Sequence, residues 1–194
     1  MKWKRPVGPI TIPNALSGMR LAIAPVLLVF AWMGESTAVL VLLGVSFLSD
    51  FADGYLARKL DQVSEFGGEL DSWGDLATYL AVPVCFWWLW PDLLQREVSF
   101  VVIVVTSYTL TTTIGLFRYR RLMCFHTWGG KVSGVLLGGG GLLLLVEGSG
   151  WLLRLATAVV VIADLEELAM MAVLPRWRPD VPSLWHALNA EARR

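Results

Sequence analysis

Charge is what this sequence has least of. Only 16% of its 194 residues are Asp, Glu, Lys or Arg, against about 25% in ordinary soluble domains. Hydrophobic residues make up 56%, and mean hydropathy is +0.60. That balance argues against a soluble globular fold. The formal net charge is zero, and nucleic acid is not an expected partner. Cysteine is nearly absent too. Cys85 and Cys124 lie in different segments and match no metal-ligand spacing, so they read as small buried hydrophobes. No soluble domain, internal repeat or low-complexity linker stands out. The start, Met1-Lys-Trp-Lys-Arg-Pro6, is basic, but no short apolar run with a small-residue cleavage site follows it. The first apolar run is therefore expected to remain in the mature protein.

What the sequence does have is long apolar runs. Six are present, at about 15–33, 37–60, 68–90, 97–118, 131–148 and 150–174. A spanning helix needs about 20 residues. The fold class expected is an all-α integral membrane protein with six transmembrane helices. Residues 1–13, with Lys2, Trp3, Lys4 and Arg5, form a short N-terminal interfacial segment, and residues 175–194 a polar tail. Residues 1–194 are read as one membrane domain. With six spans, one side holds Lys2, Lys4, Arg5, Arg20, Arg58, Lys59, Arg118, Arg120, Arg121, Lys131, Arg176, Arg178, Arg193 and Arg194; the other holds Arg96 and Arg154. By the positive-inside rule the basic side, with both termini, faces the cytoplasm. Multi-pass insertion in the cell inner (cytoplasmic) membrane follows. Gly138–Gly141 in the fifth segment suits close helix–helix contact through small residues.

The charges that remain are concentrated. Asp50, Asp53, Asp71 and Asp75 fall at the polar ends of the second and third runs. Asp50 and Asp53 are three apart and share a helix face, as do Asp71 and Asp75, four apart. A short polar link makes the two helices antiparallel, so the four carboxylates can meet. Charge at membrane depth marks a functional site by default, and polar helix ends are tolerated where they line a watery cavity. Carboxylate oxygens select Mg²⁺, Mn²⁺ or Ca²⁺ over zinc or copper. Four of them could hold two ions, an arrangement suited to phosphoryl chemistry. Gly54 and Gly67 clear side chains from the site, Ala57 keeps that face low, and Arg58 offers a phosphate-matching fork. Two alternatives are a charged hairpin whose aspartates pair with Arg58, Lys59 and Arg20, and a small cation transporter. A transporter, however, predicts carboxylates at mid-bilayer where helices break.

The pattern Asp50-x2-Asp53-Gly54-x2-Ala57-Arg58-x8-Gly67-x3-Asp71-x3-Asp75 resembles the signature of the CDP-alcohol phosphatidyltransferases. Every signature position is present at matching spacing. Pro13-Asn14-x2-Ser17-x2-Arg20 is similar to a segment at the entry to that family's first helix. The resemblance implies transfer of a phosphatidyl group from a CDP-linked lipid, commonly CDP-diacylglycerol, to the hydroxyl of a small polar alcohol, with release of CMP. It implies that the four aspartates bind two ions, Mg²⁺ or Mn²⁺, and that Asp75 is the general base. It places Gly54, Ala57, Arg58 and Gly67, with Asn14 and Ser17, at the CDP moiety. It also implies a homodimer with its site open to the cytoplasm.

The acceptor is read from the second basic loop. Arg118, Arg121 and Lys131, with Arg120 and His126 nearby, suggest a phosphorylated alcohol, and glycerol 3-phosphate is the first expectation. Gly130-Lys131 resembles a Gly-Lys in glycerophosphate-accepting members. Ser72 and Leu76 depart from those members, which carry proline and lysine there. Ser64-Glu-Phe-Gly67 with Leu70-Asp71-Ser72 is more like serine-accepting members, so serine and inositol phosphate stay as alternatives. Asp164 and Glu167, three apart with Glu166 between them, are expected to pair with Arg118, Arg121 or Lys131 and orient the acceptor pocket.

Overall fold

The computed structural model of the chain describes residues 11–62, 64–120, 127–174, 181 and 183–192. Among these residues every regular element is a helix: α1 (Ile12–Trp32), α2 (Ser36–Lys59), α3 (Glu65–Leu89), α4 (Pro91–Tyr119), α5 (Trp128–Glu147), α6 (Trp151–Val173) and α7 (Leu184–Ala192). The all-α expectation holds. Among the described residues four helices are long and apolar enough to cross a membrane: α1, α2 over Ser36–Ala57, α4 and α5. Such a set of helices marks a membrane protein. The long helices α3 and α6 fall outside that group. The first turns of α3 carry Glu65, Glu69, Asp71 and Asp75, and α6 carries Arg154, Asp164, Glu166 and Glu167. The chain divides into two compact units, Met1–Pro91 and Asp92–Arg194.

The first unit is organised by α1. Thr11 caps the helix by accepting from the Asn14 amide at 3.2 Å, and Pro13 sits in the first turn, where its missing N–H costs nothing. The buried positions of α1 recur at helical spacing along one stripe. The first half of that stripe is polar, with Asn14, Ser17 and Arg20; the second half is apolar, with Ile23, Leu27 and Ala31. The apolar half packs with Val39 of α2 and Cys85 of α3 in one cluster. Cys85 is thus the buried hydrophobe the sequence suggests. Helix α1 packs along both α2 and α3, which touch each other little. The carboxylates of α2 and α3 are therefore brought together by a third helix, not by a hairpin packed on itself.

Two turns set this arrangement. Gly34 takes φ +81°, and the Glu35 amide donates to Phe30 O at 2.9 Å, which closes α1 and lets the chain reverse into α2. At the end of α2, Asp61 takes the left-handed conformation at φ 53°, and the Gln62 amide donates to Ala57 O at 2.9 Å. Ser64 then caps α3 by accepting from the Gly67 amide at 3.0 Å.

In the second unit α5 and α6 pack together, and α7 packs on α6. Gly140 makes the first contact possible. A Cβ built there would lie 2.8 Å from Leu153 N and 2.9 Å from Leu153 Cα. The small-residue expectation for the glycine run is met at that position. Arg154 of α6 donates to Glu97 of α4 through Nε at 2.9 Å and Nη2 at 2.7 Å. The tip of α6 is tied down by Tyr119, whose hydroxyl donates to Leu174 O at 2.6 Å. Met170, Met171, Leu174, Val181 and Ala187 fill the core beneath α7.

Candidate active site

The polar half of the α1 stripe meets the acidic ends of α2 and α3. Arg20 is fully enclosed, at 2% exposure. Its Nη1 pairs with Asp50 and, at 2.9 Å, with Asp75; its Nη2 pairs with Asp71 and, at 2.9 Å, with Asp53. One guanidinium thus binds all four carboxylates. Ser17, one turn earlier on the same face, donates to Asp53 Oδ2 at 2.8 Å. Exposure grades across the cluster. The Asp53 side chain is buried and that of Asp71 nearly so, whereas Asp75 and Asp50 open progressively to the outside. The cluster is sealed on the α1 side and accessible on the other.

Three of the four aspartates are close enough to share an ion, and Asp75 is not in that group. One carboxylate oxygen from each of Asp50, Asp53 and Asp71 lies within 4.8 Å of the others. Hard oxygen donors of this kind fit Mg²⁺, Mn²⁺ or Ca²⁺. The Arg20 guanidinium already offsets part of the negative charge that a bound cation would offset.

The glycines turn out to serve α1. A Cβ at Gly67 would lie 2.5 Å from Asn14 Oδ1 and 3.0 Å from Ser64 Oγ. The space it leaves is thus taken by the buried Asn14 amide. A Cβ at Gly74 would lie 3.2 Å from Arg20 Nε and 3.5 Å from Ser17 O. Gly74 is therefore part of the seat of Arg20, although the sequence reading does not single it out. The available signal was its place between Asp71 and Asp75, opposite a helix that carries an arginine among apolar residues. Gly54 and Ala57 lie on α2 beside Asp53, both half-buried. Arg58 falls on the last turn of α2, and its side chain lies outside the described residues.

The cations expected at the acceptor fall on α4, on α5 and in the stretch between them. Arg118 is exposed, with its guanidinium 5.6 Å from the centroid of the Tyr119 ring. Lys131 is exposed, with Nζ 5.2 Å from the centroid of the Trp128 ring. Arg121 and His126 lie outside the described residues. The described partners of Asp164 and Glu167 are neutral, and the pairing expected with Arg121 lies outside the described residues. Asp164 accepts from Ser107. Glu167 accepts from Thr127, whose own oxygen caps α5 by accepting from the Gly130 amide at 3.0 Å. Glu166 accepts from the Leu184 amide at 2.9 Å and so anchors the start of α7. There α6 faces hydroxyls of α4 and of the α5 cap, while Arg118 and Lys131 are exposed.

Residues 10–164 match the CDP-alcohol phosphatidyltransferase family over a span that contains the whole aspartate cluster. The chain belongs to this family. Among its relatives, a Streptomyces coelicolor protein named cardiolipin synthase (CMP-forming) is 31% identical over 159 residues, 76% of this chain and 71% of that protein. A Mycobacterium tuberculosis protein named for cardiolipin synthesis is 39% identical over 99 residues, 45% of this chain and 46% of that protein. The match thus spans less than half the length of that relative. A CDP-diacylglycerol–glycerol-3-phosphate 3-phosphatidyltransferase of Aquifex aeolicus is 39% identical over 66 residues, 34% of this chain and 37% of that protein. No solved structure matches the chain. Membership in this family leaves the transporter alternative without support.

Proposed function

We propose that this phosphatidyltransferase-family chain joins the phosphatidyl group of CDP-diacylglycerol to the hydroxyl of a small polar alcohol and releases CMP. The observation that carries the reading is the convergence of Asp50, Asp53, Asp71 and Asp75 on one point, with three of their oxygens mutually within 4.8 Å. Those four residues would hold two ions, Mg²⁺ or Mn²⁺, whose charge offsets that of the diphosphate and of the departing phosphate. Asp75, more open than Asp53 and Asp71, is assigned as the base that takes the acceptor's proton. A carboxylate among cations is a weak base, so the larger contribution comes from positioning and fixed electrostatics. Gly54, Ala57 and Arg58 are assigned to the CDP moiety; Gly67, whose space Asn14 fills, and the buried Asn14 and Ser17, first expected there too, are assigned instead to support of the site from beneath. The protein is read as a six-span homodimer of the cytoplasmic membrane, with the site and both termini on the cytoplasmic side, which is where its lysines and arginines accumulate.

Glycerol 3-phosphate is the acceptor we assign. Arg118, Arg121 and Lys131 supply cations for its phosphate, and the Aquifex aeolicus relative is named for that acceptor. A second reading, phosphatidylglycerol, has its own support, because the Streptomyces coelicolor relative that covers 76% of the chain is named cardiolipin synthase. Both acceptors present a glycerol hydroxyl. The test is CMP release by purified protein with Mg²⁺, CDP-diacylglycerol and, separately, glycerol 3-phosphate, phosphatidylglycerol, serine, inositol 1-phosphate and inositol. Release with glycerol 3-phosphate alone supports the assignment, and release with phosphatidylglycerol alone replaces it with the second reading. Release only with serine or an inositol sinks both, and no release with any acceptor sinks the transferase reading. A chelator should stop release, and Mg²⁺ or Mn²⁺ should restore it.

A further inference from the structure

Arg20 is oddly placed for an ordinary structural arginine. It is 2% exposed and paired with four carboxylates at once. A single positive charge leaves that cluster strongly negative when all four are ionised. The guanidinium is also not fully satisfied, since its Nε is buried and makes no hydrogen bond among the described residues. Both terminal nitrogens are spent on charge pairs, and Gly74 leaves the room that the Nε end occupies. The side chain is seated for charge at the expense of complete hydrogen bonding. An ion shared by Asp50, Asp53 and Asp71, whose carboxylate oxygens lie within 4.8 Å of one another, would draw on three of the carboxylates bound to the Arg20 guanidinium. Asp50 Oδ1, Asp53 Oδ2, Asp71 Oδ1 and Asp75 Oδ1 each face it.

We propose that Arg20 is a resident counter-cation, which holds the four aspartates together in the metal-free protein and competes with divalent metal for their oxygens. This rests on the reading of the aspartates as metal ligands. Two physical consequences separate it from simpler roles. Without Arg20, four carboxylates face one another with nothing to offset their repulsion, so the metal-free protein should lose stability. Without Arg20, a metal also meets no rival and a more negative site, so it should bind more tightly. An arginine that only braces the fold would give the first effect and not the second. An arginine that serves only to contact the diphosphate would give neither, and would weaken CDP binding instead.

The experiment uses the purified full-length protein, stripped of metal, as wild type and as Arg20→Gln and Arg20→Lys. Mn²⁺ binding is followed by the loss of the free-ion electron paramagnetic resonance signal. Thermal unfolding is measured with and without Mn²⁺. We expect Arg20→Gln to bind Mn²⁺ at least tenfold more tightly than wild type, to unfold at a lower temperature without metal, and to gain more from added Mn²⁺. Lysine keeps the charge but lacks the planar fork that spans four carboxylates, so Arg20→Lys should fall between the two. Equal or weaker Mn²⁺ binding in Arg20→Gln overturns the competition. If that variant does not fold, Arg20→Lys decides: tighter binding than wild type supports the proposal, and equal or weaker binding overturns it. Wild type without saturable Mn²⁺ binding overturns the metal-site reading itself, a result distinct from unchanged affinity in the variants.

Discussion

The Ser17 hydroxyl on α1 donates to Asp53 Oδ2 on α2 at 2.8 Å, with both residues buried. It is a charge-assisted bond from the helix that organises the first unit to its most enclosed aspartate. Such bonds contribute about 1.5–3 kcal/mol. Ser17→Ala leaves Asp53 with Arg20 as its remaining described side-chain partner, and frees it to rotate away from Asp71. We expect CMP release to fall about tenfold, which is ~1.4 kcal/mol of lost positioning, with helix content by circular dichroism unchanged. Wild-type turnover in Ser17→Ala would remove Asp53's orientation from the account.

Asp75 is tied to the same centre by a 2.9 Å pair to Arg20 Nη1, yet its side chain is about one-third exposed. That combination suits a group held in place while it faces incoming substrate. Asp75→Asn keeps a carbonyl oxygen for Arg20 and removes the base. General-base contributions run to about 10²–10⁴ in rate, so turnover should fall at least about a hundredfold while the thermal unfolding temperature changes little. Near-normal turnover would show that another group takes the proton, or that none is needed.

The acidic signature was legible because its spacing is local. Asp50 with Asp53, and Asp71 with Asp75, share helix faces whatever surrounds them, and the polar link fixes their antiparallel sense. The six long helices followed equally well from the apolar runs, whereas α7 falls in the stretch read as a polar tail. What could not be read was the third partner. No local pattern says that α1 packs against both α2 and α3, so Arg20 stood as one candidate among several cations instead of the hub of the site. The same gap hid Gly74, whose meaning depends on an arginine 54 residues away in the chain. In the second unit, Asp164 and Glu167 were matched with cations on charge alone. The structure gives them the hydroxyls of Ser107 and Thr127 as described partners, which charge alone does not single out.

Gly67 and Gly68 are neighbours in the first turn of α3 with opposite surroundings. A Cβ on Gly67 meets Asn14 Oδ1 at 2.5 Å, whereas one on Gly68 meets nothing within 4 Å. Gly67→Ala should therefore displace the buried Asn14 and cost ~1–3 kcal/mol, as overpacking does. Gly68→Ala should gain ~0.5–1 kcal/mol, because alanine suits a helix better than glycine. Chemical unfolding of the two variants side by side reads the difference. Equal effects would mean that α1 does not press on α3 at this turn.

The contact between α5 and α6 admits an equally direct comparison. At Gly140 an added Cβ would lie 2.8 Å from Leu153 N, 2.9 Å from Leu153 Cα and 3.2 Å from Leu152 C. These are backbone atoms in the first turn of α6, so no rotamer change can relieve the clash and the helices must part. At Gly141, one residue on, a Cβ meets nothing within 4 Å. Gly140→Ala should destabilise by at least ~1–3 kcal/mol, and Gly141→Ala should be neutral or mildly stabilising. Separation of α5 from α6 would also disturb the Glu167–Thr127 bond that ties α6 to the cap of α5. If Gly140→Ala unfolds like wild type, the close approach of these two helices at Leu153 is wrong.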